Sequence, residues 1–163
     1  MEMTKNGTRQ FATFYLEDRM YGIDVMQVQE ITKYLPVTQV ALAPGYVKGL
    51  INLRGQISTA IGLRELFGVQ AYGHPAPLVE SDADDEQEMA VVCRVNGELM
   101  SLLVDRIGDV IEVDESDFEM TPDVVPHSVR RFMSGVYKTE SAVLSVIDVH
   151  DISRELNVGE KKG

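Results

Sequence analysis

An all-β fold of two five-stranded barrels packed side by side is the architecture this sequence predicts, and three observations lead there. Apolar residues fall in short runs broken by turn residues, with helical periodicity confined to the ends of units. The stretch Tyr46–Phe67, YVKGLINLRGQISTAIGLRELF, has an echo 86 residues downstream in Phe132–Ser153, FMSGVYKTESAVLSVIDVHDIS, so one unit is built twice. Gly49 falls on Gly135, Leu50 on Val136, Ile57 on Val143, Ile61 on Ile147, Leu63 on Val149 and Leu66 on Ile152 without a gap. Rows of short strands leave exposed edges, and closure into small barrels removes them.

Taken in order, Phe11–Leu16 is a β-rich run, Glu17-Asp18-Arg19 turns, and Met20–Ile23 resumes the strand as a hairpin. Asp24 is placed to cap one helical turn. Gln27–Tyr34 alternates imperfectly and continues past Pro36 to Val40, the pattern of a bent or bulged edge strand. Val47–Leu53 and Gln56–Ile61 flank Arg54-Gly55, where glycine allows the positive φ of a tight turn. The residues after Gly68 lose all period and end in an acidic run, which divides the chain into a first barrel over 11–70, an acidic linker over 71–88 and a second barrel with its helix over 89–157.

Beyond the linker the programme restarts. Met89–Val95, Asn96-Gly97 and Glu98–Val104 form the clearest hairpin, because Asn-Gly is the preferred pair for a type I′ turn. At an offset of 80, Met20 aligns with Met100, Ile23 with Leu103 and Ile31 with Ile111. A closing amphipathic helix near Asp148–Leu156 places Val149, Ile152 and Leu156 on one face. Whether strands exchange between the barrels is left open by the pattern.

Bulk properties exclude several classes of function. A net charge of −11 argues against phosphate-backbone binding, which rests on clustered Lys and Arg. Six of those charges lie in Glu80–Glu88, a solvated connector or a docking tail. No run approaches the roughly 18 apolar residues of a membrane helix, and the polar opening MEMTKNGTRQ lacks a signal-peptide core, which points to the cytoplasm. The lone Cys93, inside a strand-like run, reads as a buried small hydrophobe.

The sequence contains no phosphate loop, dinucleotide turn, His-Glu-x-x-His helix or paired-cysteine zinc site, so no reaction, cofactor or metal is specified. His74, His127 and His150 are scattered, and Asp148 beside His150 is better read as an N-cap than as a ligand. A two-barrel enzyme using scattered acids and His150 is the rival reading. Charge does stand where a bland barrel has no use for it: Arg54 at a hairpin tip, and Glu30 between Val28 and Ile31. A surface ion pair worth about 0–1 kcal/mol and a partner patch with Val28, Leu53 and Ile57 around the charges explain these residues equally well.

Three elements resemble one family. Met20-Tyr21-Gly22-Ile23-Asp24-Val25, Val28-Gln29-Glu30-Ile31 and Gly49-Leu50-Ile51-Asn52-Leu53-Arg54-Gly55 occur in the order and spacing of the bacterial chemotaxis coupling protein family, CheW, over about residues 10 to 156. The resemblance implies a non-catalytic, cytoplasmic adaptor of two five-stranded, SH3-like barrels, monomeric alone, that links the histidine kinase CheA, through its CheW-like regulatory domain, to the cytoplasmic tip of methyl-accepting chemoreceptors. It implies recruitment to membrane-associated receptor arrays, and rings formed with the kinase. It also implies a groove between the barrels that receives the receptor tip, with Val28, Glu30, Asn52, Leu53, Arg54 and Ile57 near it. Tyr46 and Val47 are offered for the kinase contact. The chain departs from the family pattern at Ser58-Thr59-Ala60-Ile61-Gly62-Leu63-Arg64, where Gly62 replaces the Asp that the second unit keeps as Asp148. That departure bears on partner choice, and the acidic linker, longer than the fold requires, fits a paralogue serving a separate, non-motility array.

Overall fold

The structure, a computed structural model, describes residues 7–33, 36–68 and 89–162, with side chains as far as 157. The predicted linker, its acidic run and His74 lie outside the described residues. The first unit runs β1 (Thr8–Leu16), β2 (Arg19–Asp24), a 3-10 turn, β3 (Val28–Lys33), β4 (Val47–Leu53), β5 (Gln56–Gly62) and α1 (Leu63–Phe67). The second runs β6 (Met89–Val95), β7 (Glu98–Val104), β8 (Arg106–Asp114), β9 (Phe118–Glu119), α2 (His127–Arg130), β10 (Met133–Lys138), β11 (Val143–Ile147) and α3 (Val149–Lys162). Asp24 caps the 3-10 turn by accepting from the Met26 N–H at 2.9 Å, and Asp148 opens α3 by accepting from the His150 N–H at 2.9 Å.

The strands form two sheets, β8-β1-β2-β11-β10-β9 and β3-β6-β7-β5-β4, so each has five principal strands and the first adds the two-residue β9. Neither sheet follows the division at 71–88. The leading hairpin β1–β2 joins the strands of the second unit, and β6–β7 joins those of the first, each through one antiparallel contact, β1 on β8 and β6 on β3, and one parallel contact, β2 on β11 and β7 on β5. Strand exchange, left open by the sequence pattern, is the arrangement present.

Exchange explains why the hairpin strands are apolar without alternation. In β6, Ala90 and Val92 fill the interior of the first-unit barrel with Ile51, Leu53, Ala60, Leu99 and Leu103. Val91, Cys93 and Val95 point the other way, into a larger core shared by both sheets. That shared core takes Phe14, Leu16, Tyr21 and Ile23 from the other hairpin and is closed by Phe67, Phe132, Val149 and Ile152. The second barrel encloses Phe11, Tyr137, Leu144 and Val146. A strand buried on both faces must be apolar on both.

The hairpins align at an offset of 79, not the expected 80. Leu16 and Arg19 flank one turn as Val95 and Glu98 flank the other, and Phe14/Cys93, Tyr21/Met100 and Ile23/Leu102 then all face the shared core. A slip of one residue turns every side chain to the opposite face. The Met20–Met100 match is therefore a coincidence of type.

Burial makes Cys93 inert, as expected of a small hydrophobe. It is fully buried, and desolvation pushes its thiol up to about 12, so the nucleophilic thiolate is scarce at neutral pH. Iodoacetamide at pH 8 is expected to modify Cys93 only in urea that unfolds the chain. Rapid native modification, read by mass spectrometry, would contradict this burial.

The β4–β5 and β10–β11 pairs carry a bulge at the same place, ahead of Gly49 and Gly135. At both, a neighbouring segment crosses close to the backbone. A Cβ on Gly49 would lie 2.2 Å from the Thr38 carbonyl oxygen at φ +145, and one on Gly135 would lie 2.6 Å from that of Glu119. Gly49→Ala is expected to cost roughly 2–3 kcal/mol, through backbone strain with no atom able to yield cheaply. Urea denaturation tests it against Gly55→Ala, whose Cβ meets nothing within 4 Å.

Candidate partner-binding surface

The turn between β4 and β5 places two residues in the left-handed region, Arg54 at φ 51 and Gly55 at φ 92. Asn52 stabilises it by accepting from the Gly55 N–H at 2.8 Å. The β6–β7 turn has the same backbone, with Asn96 at φ 53 and Gly97 at φ 84. Asn suits that conformation and Arg does not. Arg54 thus occupies a strained position with a side chain that remains 72% exposed, and its guanidinium reaches the Glu30 carboxylate on β3.

Arg94 extends this cluster, and sequence reasoning missed it. It donates to Gln29 Oε1 at 2.9 Å, to Gln56 Oε1 at 3.0 Å and to the Gly97 carbonyl at 3.3 Å, joining β3, β5 and the β6–β7 turn. Its signal was available as the single charge inside the apolar run of β6.

Beside the turn, the outer face of β4–β5 pairs Asn52 with Ile57 and Leu50 with Thr59. Ile57 is 57% exposed. A groove of about 490 Å³ runs from Arg94, Gln56 and Ile57 to Leu156 on α3. A second, about 250 Å³ and more apolar, lies between Val40–Pro44, Tyr46, Val47 and Leu50. Thr59 and Leu156 border both grooves.

The residues singled out from sequence therefore separate. Glu30, Asn52 and Arg54 meet at the turn, Ile57 lies on the adjacent face, and Tyr46 and Val47 line the second groove. Val28 is half-buried against the shared core. Leu53 is 5% exposed inside the first-unit barrel, so it shapes the turn from below and presents nothing to a partner. Tyr46 is half-buried, and burial followed by Glu155 pushes its phenol up. At the family departure, Gly62 begins α1 without a side-chain cap, and the Glu65 carboxylate, paired with Lys48 at 2.9 Å, sits where a Cβ would be.

Sequence reasoning also missed a clamp across the barrels. Arg64 on α1 donates two hydrogen bonds to Asp105, at 2.9 and 2.7 Å, and pairs with Glu17 in the β1–β2 turn at 2.6 Å. Such bidentate contacts fix geometry as well as charge. These residues lie far apart in the chain and have no local pattern.

His150 is exposed beside Asp148 and Gln27, and no group of three His, Cys, Asp or Glu that could hold a metal occurs among the described residues. No helix among them is long and apolar enough to cross a membrane. Two exchanged barrels with a strained, charged turn at the end of a grooved face define a binding scaffold. The family model for the CheW-like domain matches residues 10–157. The chemotaxis protein CheW of Treponema pallidum (strain Nichols) is 32% identical over 149 residues, covering 90% of this chain and 84% of that protein. That of Rhizobium meliloti (strain 1021) is 29% identical over 147 residues, covering 90% and 88%. The crystal structure of the scaffolding protein TtCheW from Thermoanaerobacter tengcongensis matches with a TM-score of 0.71 at 27% identity, covering 86% of this chain and 88% of that one. The chain belongs to the CheW family and is a non-catalytic chemotaxis scaffold.

Proposed function

We propose that this protein couples methyl-accepting chemoreceptors to the histidine kinase CheA, acting in the cytoplasm within receptor arrays and forming rings with the kinase's CheW-like regulatory domain. One observation carries the reading: Arg54 holds a left-handed turn position that Asn fills in the β6–β7 hairpin, while most of its side chain stays in solvent. Folding has no use for that choice, whereas a partner does. Grooves on either side of the β4–β5 face suit an amphipathic helix laid along them, and the receptor's helical hairpin tip is such an element. The kinase then takes the Tyr46–Val47 side.

Reconstitution tests this. Wild-type protein added to receptor-bearing membranes and CheA is expected to co-sediment with both and to raise kinase autophosphorylation. Binding to neither partner would overturn the function. The same assay with receptors of a non-motility array decides between the motility and paralogue versions of the reading, which the Thr59–Gly62 flank motivates.

A further inference from the structure

The two units are equivalent position by position, so a site built in one can be compared with the same place in the other. At the offset of 79 that aligns β3 with β8, both strands bulge at one point: Val28 and Glu30 oppose Cys93 and Val92, and Ile107 and Val110 oppose Phe14 and Ala12. Asp109 is thereby the counterpart of Glu30. At the offset of 86 that aligns the β4–β5 and β10–β11 turns, Glu140 is the counterpart of Arg54. Where the first unit answers a carboxylate with a guanidinium, the second presents two carboxylates.

Both carboxylates line a groove of about 440 Å³ at the mouth of the second barrel, between β8 and the β10–β11 turn. Its floor is Tyr15, Met20 and Ile111, and its rim adds Glu112. Gly108 lets β8 pack closely on Thr13 and Tyr15 beside the floor, because a Cβ there would crowd the Thr13 hydroxyl and lie 3.0 Å from the Tyr15 ring. None of the three carboxylates has an ion-pair partner among the described residues. Of the cations on these strands, Arg106 is stacked 4.2 Å over Tyr15 and Lys138 pairs with Glu119.

We propose that this mouth is a second docking surface, for a partner protein segment that inserts an Arg or Lys between Asp109 and Glu140 and lays a neighbouring apolar side chain on Tyr15, Met20 and Ile111. The inserted cation supplies in trans what Arg54 supplies within the chain to Glu30. Like charges brought to one groove repel, and a cation relieves that repulsion while the apolar floor favours an amphipathic segment.

The probe is an acetylated, amidated Arg-Leu-Arg-Leu-Arg-Leu peptide titrated into the full-length, nitrogen-15-labelled chain. Saturable amide shifts are expected in 106–112 and 139–142, weakened by added salt. Glu140→Arg restores the first unit's pairing, and it is expected to weaken peptide binding at least about tenfold. The milder Asp109→Asn/Glu140→Gln pair, which keeps the side-chain shapes, is expected to do the same. Four results overturn the proposal: no saturable shifts at millimolar peptide, shifts confined to Glu80–Glu88, unchanged affinity in these variants, or equal shifts from a Glu-Leu peptide.

Discussion

Phe132→Ala is expected to destabilise the protein by about 3–5 kcal/mol, the usual cost of truncating a buried Phe, while unfolding remains a single transition. Phe132 is 2% exposed in the shared core and stacks on Phe67 with ring centroids 5.8 Å apart. Phe67 belongs to the first unit and Phe132 to the second, and both hairpins pack around them. A cavity here removes contacts from both sheets together, so neither barrel keeps an intact core on which to survive alone. Typical domains have only about 5–15 kcal/mol to lose. Urea denaturation followed by far-UV circular dichroism and by tyrosine fluorescence tests this, with Tyr21 of the shared core and Tyr137 of the second barrel among the six tyrosines that contribute. Two separated transitions, or a loss below about 1 kcal/mol, would sink the shared-core account.

That shared core also explains which parts of the fold were legible in the sequence. The Asn96-Gly97 hairpin, the Asp24 and Asp148 caps and the echo of Tyr46–Phe67 are local signals, and each names its own structure. Partner choice between strands is not local. Nothing in Met89–Val95 says that its neighbours are β3 and β7, and apolarity on both faces hides the one-residue error in aligning the hairpins. The alternation that would have exposed the slip is absent because both faces of β6 are buried from Ala90 to Cys93.

The candidate surface was legible where a residue broke its surroundings. Glu30 and Arg54 stood out as charges without a folding role, and they pair. Leu53 was misplaced because an apolar residue next to a turn reads the same whether its face is covered or open. Arg64, Asp105 and Glu17 were invisible for the opposite reason: each is ordinary where it stands, and only the exchanged topology brings them together. The Asp109–Glu140 groove required the structural offsets before the two units could be compared at all.

Arg54→Glu is expected to leave the fold intact and to lower receptor-dependent kinase activation by about tenfold or more, a loss of at least roughly 1.4 kcal/mol at the coupling interface. The fold tolerates the change for two reasons. The lost Glu30 pair is surface-exposed on the Arg54 side and worth about 0–1 kcal/mol, and Glu17 already occupies the same turn position of the β1–β2 hairpin at φ 60. The reversed charge nonetheless faces Glu30 and alters the marked end of the β4–β5 face, where a desolvated charge counts for more than in solvent. Activation assayed with receptor and CheA, beside a denaturation curve for each variant, separates the effects. Unchanged activation would remove Arg54 from the surface, and a collapsed denaturation midpoint would make it a folding residue. The double reversal Glu30→Arg/Arg54→Glu goes further: recovery would mean that the pair serves to hold the turn, and continued loss would mean that a partner reads the Arg54 charge itself.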